Sequence, residues 1–183
     1  MALPKNAKKV FEGIMFDVYQ WEQKQFDGTT RTFEAVKRKE SVQIIATKNN
    51  KIILLEEEQP LIGKFISLPG GICEANNPEE DARRELSEET GLTTKEMKLW
   101  KKTGFSAKVN WDTNYYIAKN CKKTDEIKLD AGEKIIVHEL EFEEFIEKVL
   151  IDEFRNKEFT FMIYKMIHEN KLEEFKKEIF YKK

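Results

Sequence analysis

The chain has 183 residues, of which 40% are hydrophobic and 36% are charged. This length and apolar fraction suit one globular domain with a sizeable core and room for a small extension. The charges nearly cancel, with 32 basic and 34 acidic residues and a formal net charge of -2, which argues against nucleic-acid binding through bulk charge.

The sequence favours a cytoplasmic location. The two cysteines, Cys73 and Cys121, are far apart and match no metal-ligand spacing, as expected of reduced thiols. The amino-terminal residues contain no apolar stretch of signal-peptide length, and no run reaches the roughly 18 apolar residues of a membrane span. We therefore expect no membrane partner.

The first third of the chain predicts two β-hairpins. The segments IMFDVYQWEQKQF and RTFEAVKRK flank an Asp-Gly turn at residues 27–28, which is a strong hairpin signal. SVQIIAT and KIILLEE flank an Asn-Asn pair at residues 49–50. The continuous apolar runs of this second pair are typical of strands buried on both faces.

The middle of the chain predicts a short strand, a tight turn and a helix. KFISLPGG ends at a Pro-Gly-Gly turn, and NPEEDARRELSEET follows it. Asn77 can cap the helix, Pro78 suits the first helical position, and the helix dipole favours the acidic residues after it. Gly91 supplies the left-handed residue that ends a helix.

The last part of the chain predicts strands and then helices. MKLWKKTGF, TNYYIAKN and EKIIVHELEF read as strands, and an amphipathic helix is expected near Glu143 to Val149. Residues 156–181 read as helical. Their apolar face is formed by Phe159, Met162, Ile163, Met166 and Ile167.

This order of elements predicts a mixed α/β (α+β) domain with helices packed against a curved mixed sheet. We expect residues 1–40 to form an amino-terminal antiparallel hairpin extension that could serve as a dimerisation element. Residues 41–183 would then form the main domain with its carboxy-terminal helices.

Three glutamates mark one face of the predicted helix. Glu85, Glu88 and Glu89 are spaced i, i+3 and i+4, so their carboxylates lie together. Two of them lie near the carboxyl end of the helix, where the dipole disfavours anions by roughly 0.3–1 kcal/mol each. Mg²⁺ binds such oxygen ligands, and two ions can clamp a phosphate under attack. The alternative is a solvated helix surface held by Arg84–Glu88 pairing.

The segment RELSEETGL, from Arg84 to Leu92, resembles the second half of the Nudix box, R-E-U-x-E-E-x-G-U with U aliphatic, at every specified position. With average amino-acid usage, such a match arises by chance in on the order of 10⁻⁵ chains of this length. The first half keeps Gly70 but has Asn76 where the pattern has Glu. The resemblance implies a Nudix-like fold with an altered metal-binding loop.

The flanking segments are similar to the ADP-ribose pyrophosphatase branch of that family. FDGTTRTFEAVKRKESVQIIAT and KIILLEEEQP correspond to its amino-terminal strands, which implies a homodimer with a shared substrate pocket. DAGEKIIVHELEFEEF resembles the segment that supplies an extra catalytic acid, which implies that role for Glu133.

The resemblance also implies the reaction. It predicts a Mg²⁺-dependent hydrolase, with Mn²⁺ as a possible substitute, that cleaves the pyrophosphate bond of a nucleoside diphosphate linked to another group. ADP-ribose or a nucleotide sugar is the first expectation for this small-molecule substrate. Arg84, Glu88 and Glu133 are the predicted catalytic residues, and either glutamate could be the base. The predicted metal ligands are Gly70, Glu85, Glu88 and Glu89.

The base and sugar of such a substrate need aromatic and basic contacts. Trp21 and Trp111 are surrounded by polar residues, and Arg38 lies on a predicted strand, so we predict these three as substrate-binding residues. Two other functions remain open at this point. One is a hydrolase of nucleoside triphosphates or capped RNA, and the other is a non-catalytic module that senses a nucleotide.

Overall fold

The computed structural model describes residues 3–75, 77–104, 108–124, 126–129 and 131–181. The strands in these residues are β1 (Lys8–Phe11), β2 (Asp17–Lys24), β3 (Thr30–Lys37), β4 (Ser41–Lys48), β5 (Lys51–Gln59), β6 (Gly63–Ser67), β7 (Leu92–Thr93), β8 (Glu96–Gly104), β9 (Val109–Asn110), β10 (Asp112–Lys119), β11 (Lys122–Lys123) and β12 (Lys134–Leu140). The helices are α1 (Pro78–Thr90), α2 (Phe142–Val149), α3 (Lys157–His168) and α4 (Leu172–Phe180).

The main sheet is mixed, as predicted. Its strands run in the order β12-β5-β4-β10-β8, and β6 pairs with another part of β5. Strands β4 and β10 are parallel, whereas the β4–β5, β5–β6, β5–β12 and β8–β10 pairs are antiparallel. The strands of this sheet include both predicted segments around residues 49–50, where Asn49 and Asn50 adopt the positive φ of a tight hairpin turn.

Helices cover both faces of this sheet, because successive strand residues point to opposite sides. Helix α1 packs on one face against aliphatic strand residues, and α2, α3 and α4 pack on the other. The α1 side contains Val42, Ile44, Ala46, Ile53, Leu55, Ala82 and Leu86. The opposite side contains Ile45, Ile52, Leu54, Phe145, Phe154, Phe159 and Phe175.

The carboxy-terminal region is helical as predicted, but it is not one helix. Helix α3 ends at His168, and Asn170 adopts φ 55, a left-handed conformation that Asn tolerates. The turn lets α4 pack Phe175 and Ile179 into the same core as α3. Ile167, predicted on the apolar face, is 40% exposed. No helix in the described part of the chain has the length and apolar surface needed to cross a bilayer.

The amino-terminal strands form a second, four-stranded sheet in the order β1-β2-β3-β9. The β2–β3 hairpin turns at Asp27 and Gly28 as predicted, and Gly28 has φ 84. Strand β1 was not predicted. Strand β9 lies parallel to the end of β3 and so links this sheet to the entry of β10. The division of the chain near residue 40 stays a prediction.

Both cysteines are buried and free, in agreement with the prediction of reduced thiols. Burial raises the pKa of the Cys73 and Cys121 thiols to about 11. Neither side chain is therefore a reactive thiolate at neutral pH.

Candidate active site

Helix α1 has the ends that its sequence predicts. The Asn77 side chain accepts a hydrogen bond of 3.1 Å from the backbone N–H of Glu79, and Pro78 occupies the first turn. Gly91 ends the helix with φ 68 and donates its N–H to the Ser87 carbonyl at 2.8 Å. These two caps fix where the glutamates of the helix face. Asn76, the predicted departure from the family pattern, lies outside the described residues.

The Pro-Gly-Gly turn after β6 runs directly against this helix. Gly70 donates its backbone N–H to Glu89 Oε2 at 2.8 Å. A β-carbon at Gly70 would collide with the Val42 carbonyl, and one at Gly71 would collide with the Glu85 carboxylate. The two glycines therefore allow a close approach of backbone and carboxylates that no larger residue permits.

Arg84 braces two of the predicted metal ligands. Its Nη2 donates to Glu85 Oε1 and its Nη1 to Glu88 Oε2, both at 2.7 Å. Burial opposes the charge of Arg84, but the Glu85 and Glu88 carboxylates outweigh it and raise the pKa of the guanidinium. The side chain of Glu85 is 13% exposed and that of Glu88 is 40% exposed, so only Glu88 faces solvent broadly.

A further carboxylate lies beside Glu89. Glu57 is on β5, is 6% exposed, and accepts a hydrogen bond from the Ser67 hydroxyl of β6. Gln59 Nε2 donates to Glu57 Oε2 at 3.3 Å. Burial raises the pKa of Glu57, and repulsion by Glu133 adds to the effect.

Glu133, predicted as a catalytic acid, lies at this same cluster. It immediately precedes β12, and it interacts electrostatically with Glu57, Glu85 and Glu89. Strand β12 pairs with β5 from Lys134 opposite Glu58, which brings Glu133 towards the end of β5. We call Glu57, Glu85, Glu89 and Glu133 the carboxylate cluster.

Burial disfavours the charged form of two carboxylates of the cluster, Glu85 and Glu89. Burial raises the pKa of Glu85 to about 7, despite the opposing charge of Arg84. Burial, followed by repulsion from Glu57, holds the pKa of Glu89 well above its usual value of 4.5. Desolvated carboxylates behave in this way when no cation compensates them.

The donor set fits a hard divalent cation, which prefers oxygen ligands. Across the described residues, however, no three Asp, Glu, His or Cys side chains converge as they would around an ion. The ion pairs of Arg84 with Glu85 and Glu88 account for this, because they hold both carboxylates towards the guanidinium. A bound cation would have to compete with Arg84 for these oxygens.

The structure brings together two of the three predicted substrate-binding residues. The Arg38 guanidinium lies 4.2 Å from the ring centroid of Trp111 and 5.8 Å from that of Phe16. Trp111 Nε1 donates to Ser41 Oγ at 3.0 Å, which fixes the indole at the start of β4. A flat cationic and aromatic pair of this kind suits a nucleotide base or sugar.

Trp21, the third, lies elsewhere. It pairs with Phe33 across β2 and β3 at a ring distance of 6.3 Å and donates to Gln23 Oε1 at 3.1 Å. Phe33 is five residues before Arg38, roughly 16 Å along a strand. Within one chain, Trp21 is therefore separate from the Arg38–Trp111 pair.

The sequence analysis did not identify Glu57. A signal for it was present, because Ile53, Leu55 and Glu57 alternate along β5 and share the face that α1 covers. The middle acid of Glu56, Glu57 and Glu58 is thus the buried one. The neighbouring acids point the other way and are partly exposed.

Residues 37–164 match the family model described as the NUDIX domain. The match covers most of the chain, and the chain therefore belongs to the Nudix family. This confirms the predicted family, fold and enzyme class, a pyrophosphohydrolase. Nudix hydrolases generally use a divalent metal.

Two relatives place the chain within the family. An ADP-ribose pyrophosphatase of Bacillus subtilis (strain 168) is 30% identical over 149 residues, which are 78% of this chain and 80% of that protein. A crystal structure of an ADP compounds hydrolase has a TM-score of 0.68 and 18% identity, covering 91% of this chain and 92% of that one. At that identity, the second likeness shows the fold alone.

Proposed function

We propose that this Nudix hydrolase cleaves the pyrophosphate bond of a nucleoside diphosphate linked to a second group, with ADP-ribose as the first candidate. One observation carries the proposal. Burial raises the pKa of the Glu57, Glu85 and Glu89 carboxylates, and Glu85 and Glu89 lie against the Gly70–Gly71 turn. The ADP-ribose pyrophosphatase at 30% identity supports the choice of substrate.

Mg²⁺ is the proposed metal, with Mn²⁺ as a substitute. Glu85, Glu88 and Glu89 would supply carboxylate oxygens to it, and the Gly70 carbonyl would be a further ligand. When bound, the metal would neutralise the charge that develops on the diphosphate oxygens. This assignment agrees with the buried, uncompensated carboxylates of α1.

Each of the other contacts has a positioning role. Arg84 holds Glu85 and Glu88 in place, and the Gly70 N–H orients Glu89. The attacking water would give its proton to Glu88 or Glu133. Glu88 has a 40% exposed side chain and borders a groove of about 250 Å³, whereas Glu133 interacts electrostatically with Glu57, Glu85 and Glu89.

The test is a substrate panel on the pure protein with Mg²⁺ or Mn²⁺. ADP-ribose, nucleotide sugars, dinucleoside polyphosphates and nucleoside triphosphates would be compared, and the products identified. Faster cleavage of ADP-ribose or a nucleotide sugar than of triphosphates supports the proposal. Preference for a triphosphate would select the alternative hydrolase. Binding without turnover of any compound would select the sensing module.

The base is assigned by comparing Glu88→Gln with Glu133→Gln on the best substrate of the panel. Loss of a general base lowers kcat by about 10²–10⁴-fold. The variant that lacks the true base should also lose the acidic limb of its pH–kcat profile. If neither variant loses activity, both assignments are wrong.

We also propose a cytoplasmic homodimer. The amino-terminal region exposes several large apolar side chains that a second copy could cover. These are Val10, Phe11, Ile14, Met15 and Phe16. Light scattering coupled to size exclusion tests this directly, and a monomer at micromolar concentration would refute it.

A further inference from the structure

Arg155 is held in place by β6 rather than by a helix. Its backbone N–H donates to the Ile66 carbonyl at 2.8 Å, and the Ile66 N–H donates to the Glu153 carbonyl at 3.0 Å. Between them, Phe154 bridges to Ile66 and is fully buried in the aromatic core. The backbone at Arg155 is therefore fixed, even though it lies in the connection between α2 and α3.

The side chain of Arg155 extends towards the carboxylate cluster. Its guanidinium lies 4.7 Å from the ring centroid of Phe65, and its Nη1 donates to Gln59 Oε1 at 3.4 Å. Phe65 pairs across the strands with Glu57, and Gln59 donates to that same glutamate. Arg155 also lowers the pKa of Glu57 by its charge, as a neighbouring cation should.

Arg155 also acts on Arg38. Burial lowers the pKa of Arg38, and the charge of Arg155 lowers it further. Within the described part of the chain, Arg38 Nε is buried without a hydrogen-bond partner, and so is Gln43 Oε1, which lies on the same face of β4 as Ser41. Among the described residues, neither guanidinium has a carboxylate oxygen within 4.0 Å.

Two guanidinium groups that repel each other, one of them with a buried Nε, favour an anion between them. Their positions also matter, because Arg38 stacks on Trp111 and Arg155 borders the carboxylate cluster. Arg38 and Arg155 repel each other electrostatically, which links the aromatic pair to the edge of the cluster. Guanidinium groups bind phosphate oxygens in planar, bidentate geometry.

We propose that Arg155 is a substrate-binding residue that, together with Arg38, holds a phosphate group of the nucleoside diphosphate between the Arg38–Trp111 pair and the carboxylate cluster. The proposal rests on the proposed function for the identity of the ligand. It assigns to the connection between α2 and α3 a role in selecting substrates that carry a diphosphate.

Arg155→Gln tests this assignment, with Arg155→Lys to restore the charge. Steady-state kinetics with ADP-ribose at saturating Mg²⁺ should show a KM increase of about 10- to 100-fold for Arg155→Gln, the value of a charge-assisted contact. The kcat should change little, and Arg155→Lys should recover part of the loss. The salt dependence of kcat/KM should weaken in Arg155→Gln, because one phosphate contact is lost.

Arg31→Gln is the matched control, since Arg31 is exposed on β3 far from both groups. It should leave KM within about twofold of the wild-type value. The proposal is overturned if Arg155→Gln also stays within that range. It is equally overturned if the variant loses thermal stability and kcat with KM unchanged, because Arg155 then only packs on Phe65.

Calorimetric titration of ADP-ribose without divalent metal separates this proposal from the proposed function. If the wild type binds ADP-ribose in this titration but cleaves no diphosphate once Mg²⁺ or Mn²⁺ is added, the proposed function fails. Weaker binding by Arg155→Gln would then still support the Arg155 assignment. Equal binding by both proteins, or no binding by the wild type, overturns it.

Discussion

The two faces of the main sheet differ in what they bury. The face covered by α2, α3 and α4 buries aromatic side chains. The ring centroid of Phe159, for example, lies 5.9–6.3 Å from those of Trp100, Tyr115, Phe145, Phe154 and Phe175. The face covered by α1 buries smaller aliphatic residues and the carboxylates Glu57 and Glu89.

The aromatic face therefore contributes mainly to the stability of the fold, and the other face contains the groups of the proposed chemistry. Burying aromatic surface stabilises the fold, whereas burying carboxylates without cations destabilises it. The stability gained by burying the aromatic face can offset the cost of burying carboxylates on the opposite face of the same sheet. Substitutions in the carboxylate cluster should therefore leave the stability of the fold intact, and substitutions in the aromatic face should leave kcat intact.

The largest effect is expected from Glu89→Gln. Loss of this proposed metal ligand should lower kcat/KM by about 10³-fold or more, roughly 4 kcal/mol in the transition state. The free energy of unfolding should stay equal or rise, because burial disfavours ionisation of the Glu89 carboxyl and the neutral amide has no such cost. Kinetics and urea denaturation measure both. Glu80→Gln, exposed in the first turn of the same helix, is the control. A destabilised Glu89→Gln would break the contrast between the faces.

Phe159→Ala should have the opposite pattern. Removing this fully buried ring should lower the free energy of unfolding by about 3–5 kcal/mol, through lost burial and a cavity. The kcat of the folded fraction should be retained at low temperature. Phe161→Ala, on the same helix but 71% exposed, should change stability by less than about 0.5 kcal/mol. Equal effects of the two variants would contradict the assignment of the core.

A pH effect should come from the carboxylate cluster. In metal-free protein, the unfolded chain loses the Glu85 proton near 4.5, while the folded protein keeps it to about 7. The unfolded state binds fewer protons in this window, so stability falls as pH rises from about 4.5 to 7, by up to about 3 kcal/mol.

The difference in unfolding free energy between wild type and Glu85→Gln isolates this effect from surface carboxylates. As pH rises, the wild type should become less stable relative to Glu85→Gln, and saturating Mg²⁺ should reverse this change. If the metal-free wild type instead gains stability over the variant as pH rises, the burial assigned to Glu85 is wrong.

The smallest effect is expected from Gly71→Ala. The added methyl group would displace the Glu85 carboxylate and lower kcat/KM by about 10- to 100-fold, as small misplacements of catalytic groups do. The variant should need a higher Mg²⁺ concentration than the wild type to reach half of its maximal activity. An unchanged metal dependence would show that Glu85 does not hold the ion.

Features encoded by local signals could be predicted from the sequence. The caps Asn77 and Gly91 and the spacing of the glutamates gave α1 and its acidic face directly. The turns at residues 27–28 and 49–50 gave the hairpins. These signals are carried by residues close together in the chain, so no tertiary information was needed.

The remaining features depend on pairings between distant segments. Glu57 joins the cluster through the β5–β6 register and Ser67, and Arg155 is placed by a bridge to β6. Trp21 was grouped with Trp111 because polar residues surround both, a criterion that says nothing about distance. The break at Asn170 follows from how α4 returns to the core, which the apolar pattern alone does not report.

The pairing of β3 with β9 has a consequence for evolution and engineering. Lys37 lies opposite Asn110. The residue that follows β3 is therefore Arg38, and the residue that follows β9 is Trp111. Side chains alternate along strands, and a one-residue deletion before Arg38 would turn it to the other side of the sheet. The proposed substrate contacts of Arg38 and Trp111 thus depend on the alignment of these two segments, and insertions or deletions there should be rarer than substitutions.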